Sequence, residues 1–201
     1  RDLLHAEALC NAVLRQAGFA SADSRVVETG SRAYLLSPRF DRLVGGGGRQ
    51  HVVAVGEVHR ACVKTAYADW AQTCEALVRQ GRLPQLDADR AHGVFRFGHL
   101  IGNTDMHSGN AGLLVKGATL RDMLEGQFAL APVYDMLPMR WKPDPMLGHK
   151  AYEVFEPDYS LADSPTRRAA REFWLRLAAQ PLVSRALRDV AGVTSTRMGC
   201  V

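Results

Sequence analysis

Three residues of this sequence have the types and spacing to do chemistry together. Asp105 and Asn110 lie five positions apart in "GNTDMHSGN", residues 102–110, and Asp135 follows in "VYDML", residues 133–137. Phosphoryl transfer needs such a set. One carboxylate orients a hydroxyl nucleophile and takes up its proton, while a neutral amide and a second carboxylate offer hard oxygens to Mg²⁺. Mg²⁺ keeps several of its waters, so two protein oxygens suffice. The chemistry predicts that the three side chains face one space. Alone, Asp105 is an ordinary loop or turn residue; the offsets to Asn110 and Asp135 make it a candidate. A metal-dependent phosphohydrolase using Asp105, His107 and Asp135 as ligands is an alternative. The two-Asp-plus-Asn spacing favours a kinase-type loop, where Asp is followed five residues later by Asn and then by a metal-binding Asp.

The flanking pattern predicts the elements that position these residues. Val94, Phe97, Gly98 and Ile101 share one helical face, and that helix ends at Gly102. "AGLLV" and "QFAL" read as a short strand pair, and the proline-rich "APVYDMLPMRWKPDPM" excludes a long helix. Upstream, residues 3–17 read as a helix with Ala6, Cys10, Val13 and Ala17 on one face, stopped by Gly18. "RVVET" and "AYLLS" form a hairpin around Gly30-Ser31. Gly45 to Gly48 read as a turn: no Lys-Ser/Thr follows, and the strand-to-helix context of a phosphate loop is missing. "HVVAV" reads as a short strand or ordered loop, residues 57–80 as helix, and Pro84 as the start of the next helical segment. Two C-terminal helices follow. One has Ser164-Pro165 as cap and first residue, with Ala170, Phe173, Trp174 and Leu177 inward. The other runs from Pro181 with Val183, Ala186, Leu187 and Val190 inward. The expected fold class is α+β, mostly helical.

At 201 residues, 47% hydrophobic and 23% charged, the chain fits one large or two small globular domains. A net charge of +4 is compatible with an anionic ligand or nucleic acid and selects neither. Cys10, Cys62, Cys74 and Cys200 form no C-x-x-C pair, which argues against a zinc knuckle and for free thiols in a reducing cytosol. No apolar run approaches the roughly 18 residues of a membrane span, so no membrane association is expected. The first residues, "RDLLHAEALC", lack an initiator Met and a signal-peptide profile and read as a helix entered midway, so a fragment is expected.

"LIGNTDMHSGNAGLLV" followed by "LAPVYDMLP" resembles the catalytic and metal-binding loops of the HipA-like serine/threonine kinases, toxin components of bacterial toxin–antitoxin pairs. "PRFDR" is similar to that family's hinge signature. The trio spans residues 38–135, and with the flanking helices the resemblance covers most of the chain. It implies a protein-kinase-like C-lobe with small β-hairpins and a partial N-lobe, with residues 1–42 as remnant N-lobe and hinge and 43–201 as C-terminal lobe. It implies ATP and Mg²⁺ as cofactors, a protein Ser or Thr as substrate, a cytoplasmic location, and an antitoxin partner with DNA reached through it. Asp105 matches the catalytic Asp, and Asn110 and Asp135 match the Mg²⁺-facing residues. His107, Ser108 and Gly109 match the nucleotide-proximal loop, Tyr134 precedes the metal Asp, and Pro38, Arg39 and Phe40 match the hinge whose backbone meets the adenine.

Two departures stand out. Family members often carry Lys where this chain has Gly109. The family's glycine-rich phosphate loop and ATP-binding Lys precede the first helix and are not in this sequence. The chain therefore resembles the C-terminal part of a longer kinase, with feeble activity expected of this part alone. The alternative is an inactive kinase-derived binding module that docks an antitoxin or a DNA-binding partner. Plainer roles are expected for other residues. His107 reads as a loop histidine holding backbone, since Asp105 fills the base role, and His99 as a core histidine. Asp41 is either the ion-pair partner of an adjacent Arg or a ribose contact. Trp70, Trp141 and Trp174 read as packing, and Arg167, Arg168 and Arg171 as a solvated helix face.

Overall fold

A computed structural model describes residues 1–43, 45, 47–117, 119, 125–146, 148, 150–159 and 163–199. In chain order the elements are helix α1 (Asp2–Gln16), strands β1 (Arg25–Thr29), β2 (Arg32–Leu36) and β3 (Val52–Ala54), a single helical turn α2 (Val55–Val58), and helices α3 (Trp70–Arg79) and α4 (Gln85–Leu100). Strands β4 (Gly112–Val115) and β5 (Phe128–Leu130) follow, then helices α5 (Ser164–Ala179) and α6 (Arg185–Met198). The fold is thus α+β with helices dominant and small sheets, as expected. Among the described residues, no helix is long and apolar enough to cross a membrane. Gly46 and Cys200 of the sequence reading lie outside the described residues; Cys10, Cys62 and Cys74 are free thiols.

Packing divides the chain into two compact units. The first comprises Arg1–Pro38, Arg96–Asp105 and Asp135–Val201, the second Arg39–Phe95 and Met106–Tyr134. These are packing units that interleave in sequence, a different kind of boundary from the division at residues 42 and 43 implied by the family resemblance.

In the first unit, β1 and β2 pair antiparallel with Thr29 opposite Arg32, which leaves Gly30-Ser31 as the two-residue turn. Gly30 takes φ +57°, a conformation glycine adopts without strain. The core is aromatic. Trp174 and Phe173 on α5 are fully buried, with Phe155, Trp141 and Phe97 around them. Ring centroids lie 5.0 Å apart for Phe173–Trp174, 5.8 Å for Phe155–Trp174 and 6.0 Å for Trp141–Trp174. The Trp174 indole N–H donates to the Leu100 carbonyl at 3.1 Å, fixing the last turn of α4. Asp163 caps α5 by accepting the Thr166 amide at 2.7 Å, one residue earlier than the expected Ser164, which is instead the first helical residue. Ser184 caps α6, so the helix starts at Arg185, Leu187 turns inward and Ala186 is exposed, against expectation. Ala17 is likewise exposed because α1 ends before it; Leu14 fills that place in the core.

In the second unit, β3, β4 and β5 form an antiparallel sheet with Leu113 paired to both Val53 and Leu130. The Asp87 carboxylate accepts the Leu130 amide at 3.0 Å, so a side chain closes an edge position of β5. The expected helix over 57–80 is broken. After α2 the chain winds a wider, π-type turn, His59–Val63, and reverses at Lys64 with φ +60°. The buried His59 holds the break open: its ring nitrogens meet the Thr65 carbonyl at 2.8 Å and the Thr73 hydroxyl at 3.0 Å. Helix then restarts at α3, where Asp69 accepts the Gln72 amide. Val94, Phe97 and Gly98 on α4 and Ile101 just past its end are buried as the pattern predicts, but His99 is exposed and not a core residue.

Candidate active site

The residues of the first unit start at Gly102. Its φ of +74° turns the chain out of α4, and the Asn103 amide closes the helix end on the Gly98 carbonyl at 2.9 Å. Asn103 is buried, and its side chain works in two directions. Its Oδ1 accepts the Asp105 amide at 2.9 Å, an Asx-type turn, and its Nδ2 donates to the Met136 sulfur at 3.5 Å. Asn103 thus ties the backbone that carries Asp105 to the residue following Asp135. Asp135 itself has φ +53°, left-handed for a non-glycine residue. Met136 and Leu137 behind it are buried and hold that conformation in place. Glu7 of α1 lies within reach of Asp135's field: burial and then the Asp135 charge push its carboxyl up to about 7.

The second unit holds the rest by hydrogen bonds to backbone. The Gly109 amide donates to His107 Nδ1 at 3.0 Å, which makes Nδ1 the acceptor and assigns the proton of the neutral ring to Nε2. The Asn110 amide donates to the His107 carbonyl at 3.0 Å, and the Tyr134 hydroxyl donates to the Gly109 carbonyl at 3.1 Å. Ser108 is locked against α2: its carbonyl accepts the Gly56 amide at 3.1 Å, and a Cβ on Gly56 would come within 2.4 Å of the Ser108 hydroxyl. Phe40 stacks on Tyr134 with centroids 6.0 Å apart and rings 21° from parallel. Arg39 spends its guanidinium on Asp41, with bonds of 2.7 and 2.6 Å. Asp41 is therefore the ion-pair partner of its neighbour, the first of its two expected roles.

The structure thus brings Phe40 to Tyr134, Tyr134 to Gly109, and His107 to Gly109 and Asn110, all in the second unit. It links Asp105 to the Asp135 segment through Asn103 in the first unit. Pro38 is exposed in the first unit. His107 holds backbone, as its plainer reading expected. Among the described residues, no three His, Cys, Asp or Glu side chains group as a metal site. A carboxylate such as that of Asp135 and an amide oxygen such as that of Asn110 are each, taken singly, the hard type of oxygen that Mg²⁺ takes. At Gly109 a Cβ would sit 2.9 Å from His107 Cε1 and 3.0 Å from Nδ1, so a lysine there would displace the imidazole. Sequence reasoning missed Asn103, Gly56 and Glu7. Asn103 left a signal, an Asn two residues before an Asp in a loop; Gly56 and Glu7 left none.

Comparisons with known proteins agree on the kind of chain this is. The HipA-like C-terminal domain family matches residues 1–195. Toxin YjjJ of Escherichia coli K12 is 33% identical over 196 residues, covering 94% of this chain and 42% of its own length. Among solved structures, HipA of Shewanella oneidensis MR-1, in complex with HipB and operator DNA, superposes with a TM-score of 0.57 at 15% identity, covering 98% of this chain and 54% of that one. The Helicobacter pylori proinflammatory kinase CtkA gives a TM-score of 0.59 at 10% identity, covering 98% of this chain and 82% of that one. At such identities the two structures speak for the fold, which is kinase-like. The chain spans less than half the length of its curated relative.

Proposed function

The chain belongs to the HipA-like C-terminal domain family, and on that premise we propose that it forms the catalytic region of a HipA-type toxin that is an ATP- and Mg²⁺-dependent protein serine/threonine kinase. The observation that carries this reading is Asp135. It is one of two non-glycine residues with positive φ among those described, and it stands where the family has its metal carboxylate. Strain of this kind persists where packing over-determines it, and it clusters at functional sites. Asp105, on a backbone pinned by Asn103, orients the acceptor hydroxyl and takes its proton. Asn110 and Asp135 are the residues that would hold Mg²⁺, which supplies charge neutralisation at the phosphates when bound. The Phe40–Tyr134 ring pair offers an apolar face to the adenine, and the His107–Gly109 turn presents backbone beside it. An antitoxin partner, with DNA reached through it, and action in the cytoplasm belong to the same proposal; they extend to this chain what the Shewanella complex contains.

The test is transfer of radiolabelled phosphate from ATP by the full-length gene product. Asp105→Asn is expected to lower kcat by about 10²–10⁴, the usual range for a general base, and Asp135→Asn to abolish Mg²⁺-dependent nucleotide binding in calorimetry. Wild-type rates from both variants would overturn the assignment. The second reading, a binding module without transfer, is favoured by one observation: Gly109 packs against His107 where the family has a lysine. Antitoxin binding with no nucleotide affinity would select it.

A further inference from the structure

Arg140 lies in the first unit, in the short 3-10 turn Met139–Trp141, five residues beyond Asp135. Its backbone N–H donates to the Gly102 carbonyl at 3.1 Å, so it is fastened to the turn from which the Asp105 loop departs. Its side chain is gripped from two sides. The guanidinium carbon stands 4.1 Å from the centre of the Phe155 ring and 5.9 Å from that of Trp141. On the other side is Gly102, where a Cβ would come within 2.8 Å of Arg140 Cδ and 3.0 Å of Phe155 Cζ. The slot between a side-chain-free residue and an aromatic face therefore fixes the stem and the plane of the guanidinium.

Among the described residues, the slot supplies no anion in hydrogen-bonding contact. An arginine carries five N–H donors in a rigid fork. Those of Arg140 make no hydrogen bond or ion pair with any described residue, although the side chain is only partly exposed. Burial holds its pKa below the usual arginine value, and Glu153, the carboxylate that acts on it, does so only through space. In the same unit Arg176 pairs with Glu172 at 2.6 Å, Arg96 with Asp163 at 4.0 Å, and Arg197 with Glu156, whereas among the described residues Arg188, whose Nε also lacks a partner, has no aromatic slot to orient it. A guanidinium that is oriented, partly stripped of water and left with its fork unspent is preorganised for a bidentate oxyanion.

We propose that Arg140 is an oxyanion subsite for the polypeptide acceptor, taking a carboxylate or phosphate group carried near the hydroxyl to be phosphorylated. The subsite stands on its own geometry; its assignment to the acceptor rests on the kinase reading. The acceptor is favoured because the Arg140 backbone is fastened to Gly102, the turn from which the loop of Asp105 departs, and Asp105 is the residue that orients the acceptor hydroxyl; Asp135 shares that unit, so the nucleotide phosphates are the competing source that the test separates.

Two measurements on the full-length protein test this. In the first, the Arg140 Nε–Hε signal is followed by NMR during titration with inorganic phosphate, and separately with serine peptides flanked by aspartate or by alanine. The signal is expected to move with phosphate and with the aspartate peptide, and to stay still with the alanine peptide. No movement with either phosphate or the aspartate peptide overturns the subsite. Movement with phosphate alone overturns the acceptor assignment and leaves a free-anion site. In the second, the ratio of kcat/KM for the aspartate over the alanine peptide is measured for Arg140→Met, which keeps a stem on Phe155, and Arg140→Lys, which keeps the charge without the fork. The ratio is expected to fall about tenfold in Arg140→Met, as for loss of a charged hydrogen bond, and less in Arg140→Lys. An unchanged ratio in both overturns the proposal. If the protein transfers no phosphate, the kinase reading fails, and the NMR titration of the unaltered protein still decides the subsite.

Discussion

The two units are each built around a tryptophan, and the two tryptophans are treated differently. Trp174 is 0% exposed, walled by Trp141, Phe155 and Phe173, and its indole N–H is satisfied by the Leu100 carbonyl. Trp70 is 3% exposed and meets Phe95 edge to face at 5.5 Å. Its indole N–H has no hydrogen-bond partner among the described residues. It also borders a cavity of about 20 Å³ that Cys74, Ala91, Gly112 and Ala131 help to line. The first unit satisfies its central indole, although its Tyr159 hydroxyl and Arg188 Nε find no partner among the described residues, while the second keeps a small void beside an indole N–H that has none. Asp105 and Asp135 hang from the first unit, where the buried Met136 and Leu137 hold a left-handed φ at Asp135. The second unit holds its residues by separate hydrogen bonds at His107, Ser108 and Tyr134, each worth about 1 kcal/mol net.

The largest effect that would break this contrast is at Trp174. Trp174→Ala is expected to destabilise by about 3–5 kcal/mol in urea unfolding, because three aromatic neighbours lose their partner and the Leu100 carbonyl loses its donor. A loss under about 2 kcal/mol would mean that the first unit relaxes into the space and is no denser than the second.

That dense core was largely readable in the sequence. Phe173, Trp174 and Leu177 repeat at helical spacing, and burial follows periodicity when one face must be apolar. The hairpin at Gly30-Ser31 was readable for the same reason, since two strands of matched length left only two residues for the turn. The break between α2 and α3 was not. It depends on His59 reaching Thr65 and Thr73, contacts that no local propensity encodes. For the proposed site, residue types and offsets single out Asp105, Asn110 and Asp135 because the chemistry it would perform needs those groups. The supports were hidden. Asn103 acts through a sulfur 33 positions away, Gly56 through the space it leaves for Ser108, and Arg140 through Phe155. His99 misled because it neighbours the apolar face of α4 without lying on it.

An intermediate effect is expected in the second unit at Gly56. Gly56→Ala places a Cβ 2.4 Å from the Ser108 hydroxyl and 2.8 Å from its Cβ, so the loop before Asn110 must move. Overpacking of this kind costs about 1–3 kcal/mol. Adding Ser108→Gly removes both clashing atoms, and the melting temperature of the double variant is expected to recover toward that of Ser108→Gly alone. A single variant that melts with the wild type would show that the loop shifts freely and that Ser108 is not locked.

The smallest effect is also the most direct comparison of the two tryptophans. Trp174→Phe and Trp70→Phe remove the same atoms from two buried sites. At Trp174 the change leaves the Leu100 carbonyl buried without its donor and opens space in a filled cluster. At Trp70 it also opens space, next to a cavity already present, but it removes a donor that had no acceptor among the described residues. An unsatisfied buried group costs about 1–3 kcal/mol, so deleting it offsets much of the packing loss. Trp70→Phe is therefore expected to fall within about 1 kcal/mol of wild type, at least about 1 kcal/mol milder than Trp174→Phe. A void needs about 10–15 Å³ to hold one water, and this one is large enough. If a water sits there and accepts the Trp70 N–H, the donor is not unspent, and the two substitutions will cost the same. Equal unfolding free energies would thus place an ordered water beside Trp70 and remove half of the contrast between the units.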